Sequence, residues 1–277
     1  MRRLRISAIS YLNTAPLLWD FEHGPAGSEF EIAYTVPSQC ASNLAAGTAD
    51  IGIIPAAAYT MIPELAVIPG IAIASRRAVR SILLVSKVPL DEIRRVAMDT
   101  SSLTSVALLK VLFEKWWGGG RVFCSMPPDI DRMLENNDAG LLIGDPALQV
   151  DRSRYETYDL AEEWIRLTGR PFVFAFWAVR EAAMDEAAEA SLIKVFQASR
   201  DHGLEPHNLR RIAVEWAPRL GITGAEVTSY LTRNIHYDLD AECVEGLRLF
   251  YRCATECKVL SAAPQLRFLR MRKPVAV

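Results

Sequence analysis

Ten short stretches carry the alternating or continuously apolar pattern of strands: Leu4–Ile9, Phe30–Val36, Ala49–Ile54, Val67–Ala74, Val79–Val85, Arg95–Met98, Arg121–Cys124, Ala139–Asp145, Tyr155–Leu160 and Pro171–Val179. Between them the period lengthens toward that of helices. A polar turn after Ile9 leads into a helical start at Pro16, with Thr14 as its expected cap. Ser38–Ala46 reads as a helix stopped by Gly47, and Ala56–Met61 as a helical piece. Val106–Trp117 lacks Gly and Pro and is long enough to be a buried helix. Shorter helices are expected at Asp129–Asn136 and Ala161–Leu167. Past Arg180 the chain is helical, through Ala187–Ser199, a capping box at Thr223–Glu226 and apolar spacing over Cys243–Val259.

Strands alternating with helices predict an α/β protein. Val67–Ala74 and Val79–Val85 read as adjacent strands, with Arg76 and Arg77 in a solvated turn. The two strong apolar runs ending at Val85 and beginning at Pro171 bracket a middle unit and are natural crossings between two lobes. The predicted division is residues 1–84 with 177–277 as lobe I, and 85–176 as an inserted lobe II. A ligand is expected between the lobes.

Length and charge narrow the function. A chain of 277 residues suits about two domains at ~150 residues each. It is 51% hydrophobic and 23% charged, with net charge −2, which excludes disorder and leaves no electrostatic footprint for nucleic acid. The basic residues Arg2, Arg3, Arg5, Arg267, Arg270, Arg272 and Lys273 read as solvated ends. Five scattered cysteines suit reduced thiols in a cytoplasm rather than a disulfide framework or a metal cluster. No leader or membrane-spanning run is expected.

The chemistry concentrates where strands end. Asp99-Thr-Ser-Ser-Leu-Thr-Ser105 joins a strand to the long helix, so five hydroxyls (Thr100, Ser101, Ser102, Thr104 and Ser105) meet backbone amides that have no partner inside the helix. Such a start binds a carboxylate or phosphate. One hydroxyl is enough for a cap, and five exceed that need, although capping and anion binding weigh equally on this stretch alone. Asn13, in the turn after the first strand, offers donors and an acceptor, or else closes an Asx turn. Ser81, inside an apolar run, faces either a ladder neighbour or a cleft. Asp145, beside the small Gly144, stands at a strand's carboxyl end, where open α/β sheets bind ligands, or else caps a helix with Pro146 in its first turn. No phosphate-loop or dinucleotide glycine motif occurs.

Four segments in order, Ser10-Tyr-Leu-Asn-Thr-Ala-Pro-Leu17, Ala49-Asp-Ile-Gly-Ile-Ile-Pro55, Asp99–Ser105 and Leu141-Leu-Ile-Gly-Asp-Pro-Ala-Leu148, resemble the chorismate dehydratase family of the futalosine route to menaquinone. The resemblance spans most of residues 1–180. It implies a two-lobed, periplasmic-binding-protein-like type II fold used as a cytoplasmic enzyme, without metal or organic cofactor. It also implies a hydro-lyase acting on chorismate, a dicarboxylate, to give 3-[(1-carboxyvinyl)oxy]benzoate. Within that picture Asn13, Ser81 and Asp145 are the expected catalytic groups. Thr100, Ser101, Ser102, Thr104, Ser105 and Gly144 are the expected substrate contacts. One position departs from the family: Leu103 stands where Arg is expected. Since the hydroxyls around it remain, its side chain is expected to point away from the cleft, with Arg80 as a substitute cation otherwise. The rivals are a sibling enzyme that cleaves cyclic dehypoxanthine futalosine and a non-catalytic small-anion binding protein.

Overall fold

A computed structural model describes residues 3–185 and 188–270. Arg2, Arg272, Lys273 and Ala187, named above, lie outside the described residues. Ten strands form two five-stranded sheets. Lobe I holds β1 (Leu4–Ile9), β2 (Phe30–Thr35), β3 (Ile51–Pro55) and β4 (Leu65–Ser75). Lobe II holds β5 (Ile82–Ser86), β6 (Arg95–Asp99), β7 (Val122–Met126), β8 (Ala139–Ile143) and β9 (Glu156–Asp159). The chain then returns to lobe I through β10 (Phe172–Arg180). The spatial orders are β2-β1-β3-β10-β4 and β7-β6-β8-β5-β9.

Both sheets are mixed for the same reason. β1 pairs in parallel with β2 and β3, and β6 with β7 and β8. The strand that enters each sheet from the other lobe, β10 or β5, runs antiparallel to both its neighbours. The carboxyl ends of β1 and β3 therefore face those of β6 and β8 across one gap. β10 is buried along all but its last residue, as its unbroken apolar run requires. One hydrophobic core runs from lobe I into one face of the lobe II sheet. A smaller cluster, including Leu83, Val85, Met133 and Leu142, fills the other face under the helix Ile130–Glu135.

Two expectations about the crossings change. β4 and β5 are not neighbours; they belong to different sheets. Divisions at 84/85 and 176/177 would cut through β5 and β10, whereas sheet membership puts the crossings at 76–81 and 169–171. The apolar patterns of β4 and β5 are alike because both are buried, and burial does not reveal which sheet buries a strand. The first crossing is pinned by Asp159. Its carboxylate accepts the Val79 and Arg80 amides at 3.1 and 2.6 Å while also capping the helix Leu160–Thr168. That grip holds Arg80 at φ +66°, a left-handed conformation uncommon for a residue with a Cβ. Arg76 is not simply solvated; it pairs with Asp240 at 2.6 Å and with Glu242.

The helical third closes on lobe I. Helix Glu189–Gly203 packs on the turn Leu12–Leu18, and helix Ala241–Glu256 packs on β10 and on the helix Thr104–Leu112. Pro206–Leu220 is a further helix, with Pro206 in its first turn, that the apolar spacing did not single out. The capping box at Thr223 and Glu226 has both of its bonds. Among the described residues no helix is long and apolar enough to cross a membrane, and the five cysteines are unpaired.

Gly203 makes the turn near the cleft possible. A Cβ there would lie 2.1 Å from the Pro16 carbonyl oxygen, a backbone atom that cannot swing aside. Gly203→Ala is expected to destabilise the fold by about 1–3 kcal/mol, the usual range for overpacking. A thermal melt of the purified variant checks this, and an unchanged midpoint would contradict it.

A candidate active site between the lobes

The gap between the strand ends is a narrow cleft lined from both lobes. Ile9, Tyr11, Asn13, Pro37 and Pro55 come from lobe I; Ile82, Ser102, Leu103, Thr104, Ser105, Ile143 and Gly144 come from lobe II. Ile73, Phe174 and Ala175 form its floor along β4 and β10. The walls are mostly apolar, and among the lining residues there is no Arg, Lys or His. Any anion held here must be held by hydroxyls, amides and a helix end.

Asp99, the last residue of β6, shapes the serine-rich turn. Its Oδ1 accepts the Ser101 amide at 2.8 Å and the Ser101 hydroxyl at 2.6 Å. Its Oδ2 accepts the Ile143 amide at 3.3 Å from the end of β8. Burial raises the Asp99 pKa, against the lowering effect of these three donors. The helix Thr104–Leu112 then starts with no side-chain cap. The Ser101 hydroxyl is spent on Asp99, and the Thr104 hydroxyl accepts the Ala57 amide of lobe I at 3.1 Å. The capping alternative for these hydroxyls is thereby set aside, and first-turn amides of the helix stay available at the cleft wall.

The expected contacts do not all reach the cleft. Ser102, Thr104, Ser105 and Gly144 line it. Ser101 stands one step back, with its hydroxyl 3.5 Å from the Tyr11 hydroxyl. Thr100 is exposed, and its amide is taken by Met126, so it belongs to the turn rather than the cleft. Leu103 is among the lining residues and is also packed against the hydrophobic core. Arg80, the cation considered as a substitute, is not among the lining residues.

Asn13 lines the cleft from the opposite side, and its Oδ1 is buried without a hydrogen-bond partner. Buried acceptors are almost always paired, so this one marks a place where a ligand donor fits. Thr14 does not cap the following turn; its hydroxyl donates back to the Ile9 and Tyr11 carbonyls at 2.5 and 2.7 Å, which holds the loop shape. Ser81 is fully buried, one residue before the lining Ile82, and its Oγ accepts the Tyr230 hydroxyl at 2.8 Å. It is one bond back from the cleft rather than on its surface.

Asp145 does not cap the helix Gly144–Leu148. It reaches across the gap, where its Oδ1 accepts the Leu12 amide at 3.0 Å. Burial pushes its carboxyl from 3.8 up to about 6, against the lowering effect of that amide. Beside it Gly144 has φ +62°, and a Cβ there would lie 2.7 Å from the Tyr11 ring. Only a glycine lets the two lobes approach this closely.

Sequence reasoning did not find Tyr11, Tyr230 or Tyr237 as parts of the site. The Tyr237 hydroxyl donates to the Asn13 carbonyl at 3.0 Å across 224 residues. Nothing local signals such a contact, and an aromatic at helical spacing reads as core.

A model of the family described as "Menaquinone biosynthesis" matches residues 4–256 of this chain. The chain belongs to that family. Its relatives include a chorismate dehydratase from Thermus thermophilus, 29% identical over 268 residues, or 90% of this chain and 94% of the relative. Among solved structures, an Archaeoglobus fulgidus protein superposes with a TM-score of 0.76 at 18% identity, covering 93% of this chain and 98% of that one. The periplasmic aliphatic sulphonate binding protein of Escherichia coli gives 0.66 at 16% identity, with 99% and 95% covered. The menaquinone-biosynthesis chain thus has the two-lobed fold of periplasmic binding proteins.

The Asp145 environment sets a pH dependence. Folding raises this pKa above its unfolded value, so the stabilising contribution is fully present below 3.8 and is lost as pH rises through about 6. The loss is at most about 1.4 kcal/mol per pH unit in that window. Asp145→Asn does not titrate. Its melting midpoint minus that of the wild type is expected to rise between about pH 4 and 6.5 and then level off. A difference that stays flat across these pH values would contradict the assignment.

Proposed function

We propose that this menaquinone-biosynthesis protein is a hydro-lyase that dehydrates chorismate to 3-[(1-carboxyvinyl)oxy]benzoate. The observation that carries the reading is an unpaired buried Asn13 Oδ1 together with an uncapped helix start at one apolar cleft. A flat ring with a carboxylate on one side and a hydroxyl on the other fits that arrangement. The Thermus thermophilus relative supports the choice of chorismate.

In this reading the ring carboxylate sits against the first-turn amides, Ser102 and Ser105. The hydrogen on the ring carbon bearing the enolpyruvyl ether is acidified through the diene and that carboxylate. Its removal places charge on the carboxylate, where the amides and hydroxyls stabilise it. The adjacent carbon–oxygen bond then breaks, hydroxide leaves as water and the ring becomes aromatic. Asn13 Oδ1 accepts from the departing hydroxyl and fixes its direction. Ser81, which already accepts from Tyr230, keeps its own hydrogen to give. Asp145 in its protonated form supplies the leaving oxygen with a proton, a role suited to a carboxyl held near 6. The enolpyruvyl carboxylate of the substrate acts as the base, in a pose set by the apolar walls.

The test is incubation of the purified chain with chorismate, followed by mass spectrometry. Loss of one water is expected. Intact chorismate that still raises the melting midpoint would instead favour a binding protein, the role printed for the Escherichia coli structural relative. Asn13→Ala is expected to lower turnover by at least about 100-fold with little effect on melting. Wild-type turnover in that variant would remove Asn13 from the mechanism.

A further inference from the structure

Behind the cleft, one segment of the helical third touches two of the proposed catalytic residues, Ser81 and Asn13. Helix Gly224–Ser229 runs into a π-helical turn, Tyr230–Asn234, and an extended stretch to Tyr237. Such turns break the ordinary side-chain register and re-aim what they carry. The segment is clamped where the lobes cross. Asn234 Nδ2 donates to the Ala78 carbonyl at 2.9 Å, and its own carbonyl accepts the Ser75 hydroxyl at 2.9 Å. His236 and Ala74 exchange backbone hydrogen bonds at 2.8 and 2.9 Å, and the Tyr237 carbonyl accepts the Ala72 amide at 2.9 Å. The Tyr230 hydroxyl, fixed by this frame and nearly inaccessible to solvent, donates to Ser81 Oγ at 2.8 Å. The Asn13 carboxamide lies beside the same hydroxyl. The Tyr237 hydroxyl holds the Asn13 main chain from behind.

We propose that Tyr230 is a positioning residue for the dehydration: its hydroxyl donates to Ser81 Oγ and so sets which way the serine hydrogen points. A serine hydroxyl is a free rotor with one hydrogen and two lone pairs. Once Tyr230 donates to it, one lone pair is occupied and the serine hydrogen is directed elsewhere. The Asn13 carboxamide beside the same hydroxyl keeps an Oδ1 without a partner. Burial pushes the Tyr230 pKa well above its ordinary value, so the hydroxyl remains a donor throughout the neutral range. The inference rests on the dehydratase reading for its kinetic test, but not for its structural one.

The experiment compares wild type, Tyr230→Phe, Ser81→Ala and the double variant with chorismate as substrate. Phe keeps the ring and its packing. Tyr230→Phe is expected to lower kcat by about 10–100-fold, with KM within about threefold of wild type, because a small misdirection of a reacting group costs that much. The double variant should be no slower than Ser81→Ala, since Tyr230 acts through Ser81. Wild-type kcat in a folded Tyr230→Phe, effects that multiply in the double variant, or failure of Tyr230→Phe to fold would each overturn the proposal. A crystal structure of Tyr230→Phe separates this from the functional reading. Displacement of Ser81 Oγ or of the Asn13 carboxamide is expected whether or not chorismate is turned over, and both groups unmoved would overturn the positioning role. Failure of the wild type to dehydrate chorismate, with those groups displaced, would defeat the dehydratase reading alone.

Discussion

A single buried carboxylate, that of Asp99, determines what the rest of the site can do. At the end of β6 it takes the amide and hydroxyl of Ser101 and the amide of Ile143. Hydrogen bonds to an ionised acceptor each contribute roughly 1.5–3 kcal/mol, and here they oppose, without cancelling, the burial that raises its pKa. The consequence lies a few residues further on. With Ser101 committed to Asp99 and Thr104 committed to Ala57, no hydroxyl bends back to cap the helix Thr104–Leu112. The positive end of that helix is delivered uncapped to an apolar gap, the place proposed above for a substrate carboxylate.

The two lobes meet over the same few residues. Asp145 from lobe II accepts Leu12 from lobe I, Thr104 accepts Ala57, and Ser101 accepts the Ser38 amide through its carbonyl at 3.1 Å. Each bond pairs the carboxyl-end loop of a strand in one sheet with a loop or helix start in the other. The groups that would bind a ligand are therefore also those that hold the lobes together. Gly144 against Tyr11 sets how near they come. The contacts that join the lobes and the residues that line the cleft lie together, an arrangement that in the proposed dehydration would keep water from the developing charge.

Much of this was legible from the chain. All ten strands follow from apolar alternation, because burial on one or both faces is what that pattern encodes. Asn13, Ser102, Thr104, Ser105 and Gly144, singled out at the carboxyl ends of apolar strands, line the cleft. What was not legible came from partners far along the chain. The separation of β4 from β5 depends on which sheet receives each strand. The contacts of Tyr230 and Tyr237 with Ser81 and Asn13 span 149 and 224 residues. A buried tyrosine that fills space and one that also directs a hydroxyl look the same in sequence.

The most direct measurement of the central claim is a crystal structure of the protein with 3-[(1-carboxyvinyl)oxy]benzoate bound. The account predicts a ring carboxylate within hydrogen-bond distance of the amides at the start of the helix Thr104–Leu112, with Asn13 across the ring from it. A ligand seated elsewhere, or one whose carboxylates leave that helix start untouched, would contradict it.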